Sequence, residues 1–480
     1  MSTGRALLKN TSFSVAADIV NRASNMMLWV IIAWFLGVQA AGSMALAIAF
    51  TFVATRLSFW GLDQLLTREV ARDRDAVSRY TVNFLLLRLV FSVTAMAVVW
   101  LALHLVSYSQ ETERLILLMS LTILPENVSN ICQAVFIAHE RLSYLASVEL
   151  MLGVFKVVGS TAVLALGQAA DTVVWVLILD SYLGMTINLW LVWRKFHALS
   201  RQLDVHFCWR QIGNALPFFV SSLFYVLDNR LDVILLSFFH TESVVGIYSA
   251  AASITMALMI LPQAYRTAVF APMSRLYATS RQALEWLYNE SFRYLMFLAL
   301  PITGGVILLA KPLTAALYSP EFIEAVSVLQ VLMIPTALLF ANILNARLLI
   351  VADRQWVVAR NFIVSLMVNV TFNLWLTPRW GATGVAWARL ASSAILFSFN
   401  YLYVFRHIYR FNPFPTLWRP AFAVTIMGVA VASLPQEAWP VAVTLGAVIY
   451  WIMLRLSGAF TDSDVKRWKR ILSFTTREGL

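Results

Sequence analysis

Apolar stretches of about 20 residues recur along nearly the whole chain, separated by short polar links, and each can cross ~30 Å of hydrocarbon as an α-helix. This repetition constrains the fold more than any other feature. Lipid offers no hydrogen bonds, so only helices or a closed barrel can span it with every backbone group satisfied. A barrel would show alternating segments of about ten residues instead. The chain therefore reads as an all-α, polytopic membrane protein. Its composition agrees: 60% of residues are hydrophobic and 13% are charged, against roughly 25% charged in soluble domains.

Helices are predicted near 13–36, 40–61, 81–106, 115–137, 144–166, 172–193, 214–238, 244–269, 294–318, 323–350, 361–378, 381–405, 419–434 and 438–457, about 14 transmembrane spans in all. No link is long enough for a soluble catalytic domain of ~50 residues, so whatever the protein does is expected within the membrane. The polar opening "MSTGRALLKNTS" shows no small-residue cleavage site after a short apolar run, and reads as a retained signal anchor.

Lys and Arg accumulate in cytoplasmic loops. With both termini cytoplasmic, inner segments hold Arg68, Arg72, Arg74, Arg79, Arg194, Lys195, Arg354, Arg360, Arg406, Arg410 and a basic tail, whereas the opposite loops hold only Arg114 and Arg379. The formal charge of +11 is thus mainly a topology signal plus attraction to anionic lipids, and no nucleic acid is expected as a partner. Two cysteines, Cys132 in a helix and Cys208 in a cytoplasmic loop, make no disulfide framework, and six scattered histidines lack metal-ligand spacing. No phosphate-cradling G-x-x-x-x-G-K-[ST] loop occurs, which disfavours ATP-driven pumping. Two Asp-x-Asp pairs, at 73–75 and 462–464, sit in mixed-charge cytoplasmic segments and read as surface charge.

Basic residues also fall inside or near the spans: Arg22, Arg56, Arg88, Lys156, Arg230, Arg266, Lys311, Arg347, Arg389 and Arg455. Arg455, and with it Arg88, Arg266 and Lys311, lies near enough to a helix end to be read as snorkelling to the interface. Each of the others costs ~2.5–3.5 kcal/mol at the bilayer centre, so they imply a wet interior. Asp18, Arg22, Asn25 and Trp29 share one face of the first span, and Glu149, Gly153 and Lys156 one face of the fifth; a self-neutralising ion pair along each helix is the plain alternative. In the seventh span Asp228 and Asp232 lie one turn apart while Arg230 points nearly the other way, so a local pair is not expected. Either the helix is irregular there, or Arg230 meets another helix while the aspartates face a lumen. Intramembrane bases outnumber the acids Asp18, Glu126, Glu149, Asp180, Asp228 and Asp232. That balance favours an anionic ligand, and Arg forks suit phosphate oxygens. Pro125, Pro262, Pro301 and Pro335 are expected inside helices, where each removes a backbone hydrogen bond. An internal echo also appears: Gly42 follows Asn25 by the same interval at which Gly246 follows Asn229, as in transporters built from repeated halves.

Three stretches, "GLDQLLTREVARD" (61–73), "LDNRLDVILLSFFHTESVVGIYSAAASI" (from 227) and "NVTFNLWLTPRWGATGVAWARLAS" (from 369), resemble the polysaccharide transporter, O-antigen-type flippases of the multidrug, oligosaccharidyl-lipid and polysaccharide exporter superfamily. The resemblance runs from about residue 10 to about residue 455. It implies two pseudo-symmetric six-helix bundles, 1–200 and 201–410, followed by two extra helices and the basic tail over 411–480. It further implies a basic central cavity moving undecaprenyl-diphosphate-linked oligosaccharide across the bacterial plasma (inner) membrane by alternating access, for O-antigen, capsule or exopolysaccharide synthesis. Carried onto this chain, it places Arg22, Asn25, Asn229 and Arg230 at the substrate, with Arg56, Lys156, Arg347 and Arg389 added from charge cost. Asp18, Glu149, Asp228 and Asp232 are the candidates for proton or sodium coupling; no cofactor, metal or covalent chemistry is expected. A glycan polymerase and a chain-length regulator are expected partners beside the membrane lipids. The rival readings are an ion-coupled drug exporter, a lipid II flippase, and an integral-membrane glycosyltransferase or polymerase.

Overall fold

A 56-residue helix opens the chain, at ~1.5 Å per residue far longer than any bilayer is thick. This helix, α1 (Thr3–Ser58), is in fact two legs, broken at Gly37, whose φ of 77° suits a residue without a Cβ. The Glu321 carboxylate caps the break by accepting a 2.9 Å bond from the Val38 N–H. The computed structural model describes residues 3–104, 106, 108–196 and 203–460; the side chains of 3–16, 221, 225, 228, 264, 267, 268 and 271 fall outside that description. Among the described residues there is no strand, and 11 helices are long and apolar enough to cross a membrane.

After α1 come α2 (Leu62–Arg72), α3 (Val77–Leu103), α4 (Gln110–Ser120), α5 (Ile123–Ala138), α6 (Leu142–Ala165), α7 (Ala170–Phe196), α8 (Val205–Ser237) and α9 (Glu242–Leu258). Together with residues 317–328 and 370–388 they form one compact unit. The span expected over 115–137 is built from two pieces, α4 and α5, and the one expected over 244–269 ends at Leu258. Within this unit α1 packs chiefly on α9 and α6. The first contact is made by the two glycines of the internal echo: a Cβ on Gly42 would strike the Glu242 carbonyl, and one on Gly246 the Val38 carbonyl. Two helices can cross this closely only where neither carries a side chain.

The second unit comprises 261–316, 329–369 and 389–480, and its described part ends at 460. It holds α10 (Ile260–Thr279) from 261 on, α11 (Arg281–Leu308), α12 (Ala310–Leu317) up to 316, α13 (Ala325–Val351) from 329 on, the flanking parts of α14 (Gln355–His407), α15 (Phe414–Ala432) and α16 (Trp439–Leu456). Helix α14 is again two legs, broken at Gly381 (φ 53°). Buried asparagines tie its helices together: Asn361 donates to Asn400, Asn400 to Asn342, each at 2.8 Å, and Tyr288 donates to Asn345 at 2.7 Å. In an apolar medium such amide pairs are interhelical glue. Pro301 and Pro335 lie inside α11 and α13 as expected, but Pro125 and Pro262 stand in the first turns of α5 and α10, where a missing N–H costs no helical bond. The basic residues beyond 460, and the Asp-x-Asp pair at 462–464, lie outside the described residues.

Candidate functional site

The motif 61–73 folds as a turn and an amphipathic helix. Trp60 and Gly61 have φ of 46° and 69°, and Leu62, Leu65, Leu66 and Val70 are all wholly buried along one face of α2. Asp63, on α2, pairs with Arg88 of α3 at 3.2 Å. Arg88 does not snorkel. It is completely buried, donates to the Ser58 carbonyl at 3.1 Å and to Asn127 Oδ1 at 3.0 Å, and lies 4.6 Å above the Phe59 ring. Asn127 in turn donates to Ser58 Oγ and Ser92 Oγ. A buried guanidinium is tolerated when paired and hydrogen-bonded as both terminal nitrogens are here, so this motif is a clamp joining α1, α2, α3 and α5.

The stripe on the first leg of α1 is different. Asp18 and Arg22 do form the i,i+4 pair that is the plain alternative for this stripe, with Arg22 Nε 3.1 and 3.0 Å from the two carboxylate oxygens, and their side chains remain 51% and 33% exposed. Trp29 leaves the stripe and is buried. Gly153 on α6 faces Ser24, where a Cβ would strike the Ser24 hydroxyl. That close approach brings Glu149 and Lys156, one turn to either side of Gly153, against α1. They do not pair directly. Lys156 Nζ donates to Asn25 Oδ1 (2.8 Å), Asn25 Nδ2 to Asn21 Oδ1 (2.6 Å), and Asn21 Nδ2 to Glu149 Oε2 (3.0 Å), while Gln133 Nε2 of α5 donates to the other Glu149 oxygen (3.1 Å). Glu126 of α5 and Asp180 of α7 lie within electrostatic reach of both Lys156 and Glu149. Asn21 and Gln133 were not singled out from the sequence, although Asn21 stands i,i+4 to Asn25 and so shares its face.

Farther along α1, Arg56 sits 5.4 Å from the Phe52 ring centroid and 4.7 Å from that of Phe59. Arg230 of α8 approaches the same Phe52 ring at 5.1 Å. Two of the predicted cations thus approach one aromatic ring, whose faces attract cations. Asn229 is half-buried beside them in sequence, and the Asp228 side chain lies outside the described residues. Asp232 does not face a lumen. It is buried, and its carboxylate accepts from Tyr248 Oη and from Asn373 Nδ2, each at 3.1 Å, with Thr377 Oγ1 bonded at 3.0 Å to Asn373 Oδ1. The two neighbouring elements, α9 and α14, supply the partners that a single helix could not.

In the second unit, Arg347 is half-buried 5.2 Å from the Phe270 ring centroid and within electrostatic reach of Arg266. Arg389 begins the second unit's share of the second leg of α14, its carbonyl accepting from Ser392 Oγ at 3.0 Å. A cavity of about 470 Å³ opens at the α8–α9 turn among Tyr108, Ser237, His240 and Glu242; none of the predicted site residues lines it. No group of three or more His, Cys, Asp or Glu side chains suited to a metal ion occurs among the described residues.

Comparison with known proteins separates fold from family. The lipid II flippase MurJ in an inward closed conformation superposes with a TM-score of 0.76 at 14% identity, covering 92% of this chain and 98% of that one. A multidrug resistance MATE family transporter of the MOP superfamily, inward-facing, gives 0.68 at 13% identity over 82% of this chain and 98% of its own. These likenesses establish the transporter fold. Among sequences, the probable low-salt glycan biosynthesis flippase Agl15 of Haloferax volcanii is 26% identical over 177 residues, 37% of this chain and 38% of its own length. A putative O-antigen transporter of Shigella dysenteriae is 26% identical over 189 residues, 39% and 47% of the two chains. The chain thus spans less than half the length of each of these relatives. The profile of one family, described as polysaccharide biosynthesis protein, matches residues 7–277, which contain α1 from its second turn through α9 and with them the clamp, the α1–α6 seam and the two arginines near Phe52. With more than half of its 480 residues so matched, this multi-pass membrane chain belongs to the polysaccharide biosynthesis protein family.

Proposed function

We propose that the protein is a flippase that carries undecaprenyl-diphosphate-linked oligosaccharide across a bacterial inner membrane by alternating access, with its termini cytoplasmic. Its crossings number 14 in this reading, two from each broken helix and one from α8. The observation that carries it is the placement of Arg22, Asn25 and Lys156 along the α1–α6 seam, and of Arg56 and Arg230 at Phe52, all within the region matched by the family. Guanidinium and ammonium groups at membrane depth suit a diphosphate, whose oxygens accept several charge-assisted hydrogen bonds at once. Asn229, Arg347 and Arg389 complete the proposed contacts, and the prenyl tail stays in lipid. Asp18, Glu149, Asp228 and Asp232 remain the groups proposed to exchange a proton or sodium ion during the cycle. No covalent step is required, and a glycan polymerase and a chain-length regulator are the proposed consumers downstream. A drug exporter for organic cations would need the opposite charge balance.

The reading is tested in a bacterial host lacking its own flippase. Arg230→Ala and Lys156→Ala should each abolish surface glycan while immunoblots show unchanged protein in the membrane. Normal glycan in both strains would refute the assigned contacts. Complementation of a lipid II flippase mutant instead would move the substrate to that lipid.

A further inference from the structure

The hydrogen-bond chain across the α1–α6 seam has a direction. From Lys156 to Asn25, to Asn21, to Glu149, every bond runs donor to acceptor the same way, and Gln133 closes the far end by donating to the same carboxylate. Each asparagine has one acceptor and one donor end. With Glu149 ionised both of its oxygens only accept, so Asn21 must offer its amide N–H, Asn25 must do likewise toward Asn21, and the Asn25 carbonyl is left for Lys156.

We propose that proton uptake by Glu149 reverses this chain and releases Lys156 for the anionic head of the transported lipid. A protonated Glu149 donates its O–H to Asn21 Oδ1. Asn21 turns by half a rotation to present that oxygen, and its Nδ2 then points at Asn25, which must turn in the same sense to accept. The Asn25 N–H groups now face Lys156. An ammonium has three donors and no acceptor, so Lys156 loses its partner and offers its donors to a diphosphate. The proton comes from water, no other bond is made or broken, and the chain carries only orientation. This rests on the flippase reading and adds to it what links charge uptake to binding.

The arrangement favours a proton over sodium. Glu149 is met by two amide N–H groups, whereas a hard metal cation requires a cage of oxygens. The other ionisable groups facing Glu149 are Lys156 on its own helix, Glu126 on α5 and Asp180 on α7, with the Asp18–Arg22 pair on the neighbouring turns of α1 and Arg56 in reach of Glu126. Of these carboxylates, Glu149 is the one wired by side-chain bonds to Lys156.

The test is binding of farnesyl diphosphate to the purified full-length protein in nanodiscs at pH 5.5 and pH 8. The wild type should bind about tenfold more tightly at the lower pH, the worth of one charge-assisted contact. A diphosphate itself gains protons and loses charge on acidification, so this trend opposes the ligand's own titration. Glu149→Gln, which donates to Asn21 as the protonated acid does, should bind tightly at both pH values. Asn21→Leu, which cuts the chain, should remove the pH dependence, and a melting curve checks that each variant is folded. Wild-type pH dependence in both variants overturns the relay and leaves the flippase reading standing; no binding by folded wild type at either pH overturns both. Tightening by sodium against choline at constant pH, with no response to pH, also overturns it.

Discussion

Arg88 and Arg22 stand on neighbouring elements of one unit and pair with an aspartate each, yet they do opposite things. Arg88 is wholly buried and spends its donors on Asp63, Asn127 and the Ser58 carbonyl. Arg22 pairs with Asp18 through Nε, and both side chains remain open to their surroundings. A charge whose every neighbour is protein stabilises a particular packing, whereas a charge left partly exposed at membrane depth can exchange its partner for a ligand. Intramembrane position alone does not distinguish them; the number of partners and the burial do.

The largest effect expected from this contrast is on stability. Arg88→Ala removes a wholly buried side chain with its bonds to Asp63, Asn127 Oδ1 and the Ser58 carbonyl, a loss of about 3–5 kcal/mol, visible as a much lower melting temperature of the detergent-purified protein. Arg22→Ala removes an exposed pair, a change of roughly 0–1 kcal/mol, so its melting curve should overlay the wild type. Equal losses in the two variants would erase the distinction between clamp and seam.

Next in size is the close crossing of α1 and α9. Gly42→Ala forces a methyl group into the Glu242 carbonyl, and overpacking of this kind costs about 1–3 kcal/mol. Gly305→Ala is the control: nothing lies within 4 Å of its would-be Cβ, and exchanging a helical glycine for alanine should if anything stabilise, by up to ~1 kcal/mol. Thermal unfolding of the two variants side by side, with Gly42→Ala the less stable, checks the crossing.

These cases show which parts of the molecule can be read along the chain. Helix existence followed from apolar run length, since each span satisfies its own backbone. The shared interval of Gly42 and Gly246 was also visible, because it is a spacing within each of two segments, and the two glycines meet. What could not be read was partnership across the fold. Arg88 looked like a residue near a helix end because Asp63 lies 25 positions away and Asn127 39. Asp232 looked lumenal because Asn373, which holds it, is 141 positions on. Lys156 and Asn25 are 131 apart, so the seam could be listed as two separate stripes but not joined. The local Asp18–Arg22 pair was foreseeable for the converse reason, its partners being one turn apart.

The smallest effect should come from Arg79 and Asp204, a third pair and an exposed one, at 48% and 40%. Asp204 caps α8 by accepting from the Phe207 N–H at 2.9 Å and takes a second 2.9 Å bond from Arg79. The Phe207 N–H first, and then Arg79, hold its carboxyl below the usual carboxylate range. Both favour the ionised form in the folded protein, so the stability they contribute is complete above the ordinary carboxylate value and is lost as pH falls through the lower folded value. Asp204→Asn keeps an oxygen that can cap the helix but not the charge. Its melting temperature should therefore lie slightly below the wild type at pH 7, and the gap should narrow as the pH falls below the ordinary carboxylate value, with narrowing begun by pH 3. A gap that persists unchanged at pH 3 would mean that the pair acts through shape and not through charge, and would leave exposure a poor guide to what an ion pair contributes in this unit.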